Sequence, residues 1–185
     1  MIEPPTQDWR TDAELFEAIN RSDASAFETL YGRHRDWVYR LAYRFCGNAE
    51  DALDVLQDTF TYLLRKSPNL HLSAQITTFL YPAVKNISIS LIRKRRKTGG
   101  DIAHVEQNLT APPENATASR TELADVISVL PETHREVLLM RFVDGMSLEE
   151  IASALKIPLG TVKSRVHHAI KTLRDDARTK RYFEP

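Results

Sequence analysis

The stretch SLEEIASALKIPLGTVKSRVHHAIKTL, residues 147–173, carries two short helical patterns hinged on one tight turn. Ser147, with Glu150 three positions on, forms a capping box in which each side chain satisfies a backbone donor of the other. It opens a helix through Ile151 to Leu155. Lys156-Ile157-Pro158-Leu159-Gly160 supplies the turn, and Thr161 to Asp176 form the last regular helix. Two helices joined in this way fit a helix-turn-helix, whose second helix enters the major groove of DNA. Val162, Val166, Ala169, Ile170 and Leu173 recur at helical spacing and face inward. Lys163, Ser164, His167, His168 and Lys171 fall on the other side, all able to hydrogen-bond and none acidic. An ordinary solvated helix mixes acids into such a face. Thr161, at the helix start, is placed to meet a phosphate, which free N–H groups and the helix dipole favour.

Upstream, Thr121 to Leu130 is helically periodic, and Pro131 suits the first turn of a helix over Glu132 to Phe142 that ends at Asp144-Gly145. Before it, Thr98 to Ser119 holds Gly99-Gly100 and Pro112-Pro113 and few large apolar residues, the composition of a flexible linker. The N-terminal block begins with a second capping box, Thr11 to Glu14, ahead of Leu15, Phe16 and Ile19. A longer helix starts near Asp23, carries Phe27, Leu30, Tyr31, Trp37, Val38, Leu41 and Phe45, and ends at Gly47. Asn48 caps a third helix to about Lys66. A fourth follows Ser73, with a kink or restart expected at Pro82. No strand pattern competes. The expectation is an all-α protein of two small helical domains, residues 8–97 and 120–178, joined by a linker over 98–119.

The third helix, Asn48 to Arg65, places Leu53, Leu56, Phe60, Leu63 and Leu64 toward the core. Asp54, Asp58, Thr61 and Arg65 form a polar stripe, while Val55 and Tyr62 leave apolar surface on a further side. A helix apolar on two sides suits one internal contact and one partner. The net formal charge is zero, yet Arg93-Lys94-Arg95-Arg96-Lys97 is an unbroken basic run, with acids gathered in the first 58 residues and after residue 100. Such segregation gives oppositely charged faces despite the neutral total.

Other classes are poorly served. No stretch approaches the roughly 20 apolar residues that span a bilayer, and Met1 to Arg10 lacks a signal-peptide core, so a cytoplasmic location is expected without membrane insertion. Cys46 stands alone on an apolar pattern, which suits a buried, inert thiol. His167 and His168 point about 100° apart on a helix and cannot easily share an ion, so no metal or cofactor is expected. No P-loop, GxSxG, HExxH or paired-Cys pattern argues for an enzyme.

Leu130-Pro131-Glu132-Thr133-His134-Arg135-Glu136-Val137-Leu138, Gly145-Met146-Ser147-Leu148-Glu149-Glu150-Ile151-Ala152 and Gly160-Thr161-Val162-Lys163-Ser164-Arg165-Val166 closely resemble region 4 of extracytoplasmic-function sigma factors. The resemblance implies a domain that reads the minus-35 promoter element. Lys163, Ser164, His167 and His168 would face the groove, and Thr161, Arg165 and Lys171 the phosphates. Arg or an aromatic is commoner in the family at positions 167 and 168. Asp54-Val55-Leu56-Gln57-Asp58-Thr59-Phe60 resembles the region 2 segment that docks on the β′ clamp helices of core RNA polymerase, with Asp54, Gln57 and Asp58 as polar contacts. The stretch from Thr78 to Ile87 resembles the part that opens and reads the minus-10 element. Phe79, Tyr81, Lys85 and Asn86 are its candidates, followed by the phosphate-tracking Arg93, Arg95, Arg96 and Lys97. Phe79 stands where the family usually has tryptophan, and Pro82 where a basic residue is common. The partners implied are core polymerase (β′ and β subunits), promoter DNA and an anti-sigma factor. A sigma-like decoy that binds only an anti-sigma factor, and a conventional helix-turn-helix regulator, are the competing readings.

Overall fold

The computed structural model describes residues 8–67, 75–97, 126–176 and 178–179, with the backbone alone at Arg96. The regular structure of the described residues is helical throughout, without a strand. We number the helices α1 (Asp12–Asn20), α2 (Ala24–Cys46), α3 (Ala49–Lys66), α4 (Ile76–Lys97), α5 (Glu132–Phe142), α6 (Leu148–Leu155) and α7 (Leu159–Asp175). A helical turn at 126–128 precedes α5. The expected linker, 98–119, lies outside the described residues, as does the start of the helix expected from Thr121.

The helix boundaries follow local chemistry. Thr11 and Glu14 form the reciprocal box that opens α1. Asp23 accepts from the Ser25 and Ala26 amides at the start of α2, and Asn48 from the Asp51 amide at the start of α3. Gly47 ends α2 at φ 77°, a left-handed conformation that costs a residue with a Cβ, and its N–H reaches the Tyr43 carbonyl.

α1 to α4 form a bundle in which α2 touches the other three, and α3 packs on α4. Leu15, Leu30, Leu41, Leu63, Leu80 and Val84 lie at its centre, essentially without exposure. Cys46 is buried here, and desolvation pushes its thiol up to about 11. α4 departs from expectation: it runs unbroken through Pro82 rather than restarting there. The proline removes one N–H donor, while Leu80, Tyr81, Ala83 and Val84 around it are buried and hold the helix on α2 and α3.

In the C-terminal block, α5 and α6 flank α7. Ser147 and Glu150 make the capping box of α6. The turn that follows is shorter than expected. Lys156 closes α6 at φ 54°, Pro158 has extended ψ (142°), and α7 begins at Leu159 rather than Thr161. The Thr161 and Val162 N–H groups already donate to the Pro158 carbonyl, which pulls the helix start back by two residues.

The blocks also touch. One apolar cluster runs from the bundle through Val137, Met140, Met146, Ile151, Ala154 and Val162. A smaller one joins Val126, Ile127, Leu130, Leu138, Leu139, Ala169 and Leu173 behind α7. α6 lies against α4.

Candidate nucleic-acid and partner interface

α7 is seated by Val162, Ala169 and Leu173, which are buried. With that face down, Lys163, Ser164, His167, His168 and Lys171 all stand in solvent, as the spacing predicts, and Arg165 and Thr161 are half-buried. Among these residues, from Thr161 to Lys171, there is no acid. The His134 ring of α5 lies 6.1 Å from that of His168, nearly parallel, and His167 meets His168 edge-on at 5.6 Å. Sequence reading missed His134, because nothing in its local pattern says which helix face it meets. Among the described residues no group of three or more metal-ligating side chains is placed to hold an ion.

α3 is turned relative to the expected wheel. Ala52, Val55, Leu56, Thr59, Phe60 and Leu63 are buried, so Val55 belongs to the core rather than to a partner face. Leu53 and Leu64 are exposed, as is Tyr62. Leu53 and Leu64 differ by about 20° at 100° per residue, so they share one edge of the exposed face. Gln57, Asp54 and Asp58 also lie in solvent beside them. The surface is an acidic strip with an apolar margin, which suits a partner that buries both.

The minus-10 candidates are dispersed. Asn86, Arg93 and Lys97 are exposed. Arg95 reaches back 2.5 Å to the buried Asp51, so part of the basic run braces the bundle. The Phe79 ring is half-buried and stacks on Tyr62, centroids 5.7 Å apart and planes within 10°. Tyr81 is 1% exposed and Lys85 is half-buried. The Arg96 side chain lies outside the described residues.

With that geometry in hand, known proteins decide the family. Residues 30–98 match Sigma-70 region 2 and residues 120–173 match Sigma-70 region 4. The ECF RNA polymerase sigma factor SigW of Bacillus subtilis is 30% identical over 175 residues, covering 86% of this chain and 93% of its own. The chain belongs to the ECF RNA polymerase sigma factors. The ECF sigma factor SigE of Mycolicibacterium smegmatis is likewise 30% identical, over 94% of this chain and 70% of its own. CnrH, solved in complex with the cytosolic domain of CnrY, has the same fold at TM-score 0.66 and 23% identity, over 88% of this chain and 94% of that one. RpoE of Bartonella quintana, solved with the anti-sigma factor NepR, superposes at 0.62 with 21% identity, over 82% and 96%. The protein is therefore a sigma factor that directs transcription initiation, and members of this family are not catalytic enzymes. No helix among the described residues is long and apolar enough to cross a membrane.

In this sigma factor, region 2 and region 4 meet at a polar seam that the sequence does not announce. Arg44 grips Asp144 with two parallel bonds, Nη1 to Oδ1 at 2.8 Å and Nη2 to Oδ2 at 2.6 Å. Trp37 Nε1 donates to the Asp144 carbonyl at 3.1 Å. Glu136 Oε1 accepts from the Tyr81 hydroxyl at 3.0 Å and from Lys85 at 2.5 Å. Burial, with the Glu136 charge beside it, pushes the Tyr81 phenol well up, so it stays a donor. Thr77 donates to Glu150 at 3.1 Å. The partners lie 51 to 107 residues apart, which is why periodicity and capping give no hint of them.

Proposed function

We propose that residues 120–178 read the minus-35 element through α7, and that residues 8–97 dock on core RNA polymerase and hold the minus-10 element, with 98–119 as the connection. Lys163, Ser164, His167 and His168 then face base edges, and Thr161, Arg165 and Lys171 meet phosphates. Asp54, Gln57 and Asp58 contact the β′ clamp helices, with further contact to the β subunit. Asn86, Phe79 and, once uncovered, Tyr81 and Lys85 meet the unpaired minus-10 strand, followed along its phosphates by Arg93, Arg95, Arg96 and Lys97. The protein works in the cytoplasm without chemistry of its own, since the polymerase joins nucleotides. An anti-sigma factor is its proposed regulator, as RpoE of Bartonella quintana was solved with the anti-sigma factor NepR.

The observation that carries this reading is the exposed face of α7, free of acids from Thr161 to Lys171, on its apolar seat. Residues in the N-terminal half of such a helix reach base edges, whereas a residue like Lys97 touches only the backbone. Lys163→Ala or Ser164→Ala should relax preference at one base position and cost ~1–3 kcal/mol on the preferred sequence. Lys97→Ala should weaken all sequences alike and flatten the salt slope by about one unit. The measurement is a titration of polymerase-bound protein against single-base promoter variants at two salt concentrations. Unchanged base preference in both α7 variants would make that helix structural.

A further inference from the structure

We propose that the Arg44–Asp144 contact is a latch that holds this sigma factor closed, and that closure covers Tyr81 and Lys85 of the minus-10 candidates while leaving the minus-35 reader free. The functional half of this inference rests on the reading just given; the latch itself does not.

The seam is one-directional. Every cross-seam polar pair named above has its donor on α2 or α4, namely Trp37, Arg44, Thr77, Tyr81 and Lys85, and its acceptor on Asp144, Glu136 or Glu150 of the other block. Asp144 is the most firmly held, gripped at both carboxylate oxygens and at its carbonyl. The turn that presents it depends on Gly145 at φ 73°, and Arg141 braces that turn by donating to the Met146 carbonyl. The Arg44 and Asp144 side chains are 10% and 6% exposed, so neither charge is compensated by solvent if the other is removed. Glu136, meanwhile, sits on the two minus-10 candidates Tyr81 and Lys85. A cleft of about 210 Å³, lined by Phe45, Ile89, Ile92 and Leu139 among others, lies open beside these pairs.

The closed form cannot occupy both promoter elements. Elements named for positions 25 base pairs apart are separated by about 85 Å at 3.4 Å per pair. A compact chain of this length is about 40 Å across. Residues 98–125, fully extended, would reach at most ~95 Å, enough for the blocks to part and stay joined. Lys163, Ser164, His167 and His168 are exposed while the seam is shut. Minus-35 reading therefore needs no opening, whereas bringing Tyr81 and Lys85 to the minus-10 element does. Core polymerase, by binding the two regions at separated places, would supply the work of opening.

The test is a charge swap read by distance. Donor and acceptor dyes are placed on Glu28→Cys and Thr172→Cys, both at exposed positions, in the full-length chain. Cys46 is left in place, since its buried thiol reacts slowly. The free wild-type protein should show high energy transfer. Asp144→Arg and Arg44→Asp should each lower the closed population by about tenfold or more, because each leaves like charges facing one another in a buried site. The pair Arg44→Asp/Asp144→Arg should recover most of the transfer, which separates latch loss from misfolding. Energy transfer that is low in wild type, that stays high in both single variants, or that is not restored by the swap overturns the latch. Run-off transcription at limiting core polymerase tests the consequence. Asp144→Arg should give several-fold more promoter complexes than wild type, and an open variant no more active than wild type overturns the withholding role. Absence of transcription with every variant, wild type included, would instead sink the functional reading and leave the latch standing on its distances.

Discussion

Asp23 shows how much one side chain can set at the residue scale. It accepts from the Ser25 hydroxyl at 2.7 Å and from the Ser25 and Ala26 amides, and it meets Arg10 at 3.0 Å. The Ser25 hydrogen bond, then Arg10 and the Ala26 amide, lower its carboxyl to about 2. An unfolded aspartate titrates near 3.9. The group binds protons less readily when folded, so its contribution is complete above about pH 4 and is lost as the pH falls toward 2. Asp23→Ala should therefore melt at a lower temperature than wild type at pH 6, and the gap should narrow as the pH drops below about 4. Melting curves at several pH values check this, and a gap that ignores pH would contradict it. This cap was legible in the sequence because its chemistry is local, an acid just ahead of an apolar helical stripe. Asp144 was not legible in that way. It looks like an ordinary turn residue before glycine, and its partner Arg44 is 100 residues away.

At the scale of the element, α3 carries the heaviest functional claim. The stripe Asp54, Gln57 and Asp58 is exposed as the residue spacing indicates. Its apolar neighbours are Leu53 and Leu64, whereas Val55 is fully buried. The helical period was right and the rotation was wrong by part of a turn. Leucine and valine are equally apolar to a wheel, and only the positions of α2 and α4 decide which of them the core takes. The same limit explains Pro82. Its missing donor is a local fact, while the burial that keeps α4 continuous around it is a tertiary one. Asp58→Arg should weaken association with core polymerase by about tenfold or more, since like charges brought together at an interface cost several kcal/mol. Helicity should stay unchanged, because the side chain is exposed. Co-purification with core enzyme at moderate salt and a circular dichroism spectrum read the two effects, and undiminished co-purification would remove this strip from the docking surface.

The whole molecule combines a neutral total charge with sharply divided surfaces. In the proposed reading Arg93, Lys97 and Lys171 meet phosphates and the acids of α3 meet a protein, while Glu136 of α5 and Asp144 of its following turn pair across the seam. Neutrality thus hid a nucleic-acid binder from composition alone, and the order of charges along the chain revealed it. Two blocks were visible as a change of composition after residue 97, but the apolar cluster shared between them was not, since each block has a credible core when read by itself. The central claim is that this chain gives core RNA polymerase a choice of promoters. It is tested most directly by mapping transcript 5′ ends made from fragmented genomic DNA by core polymerase with and without the protein. The account predicts a set of new start sites preceded by two short shared motifs at one fixed separation. No new starts with the protein added, or new starts without any shared upstream motif, would contradict it.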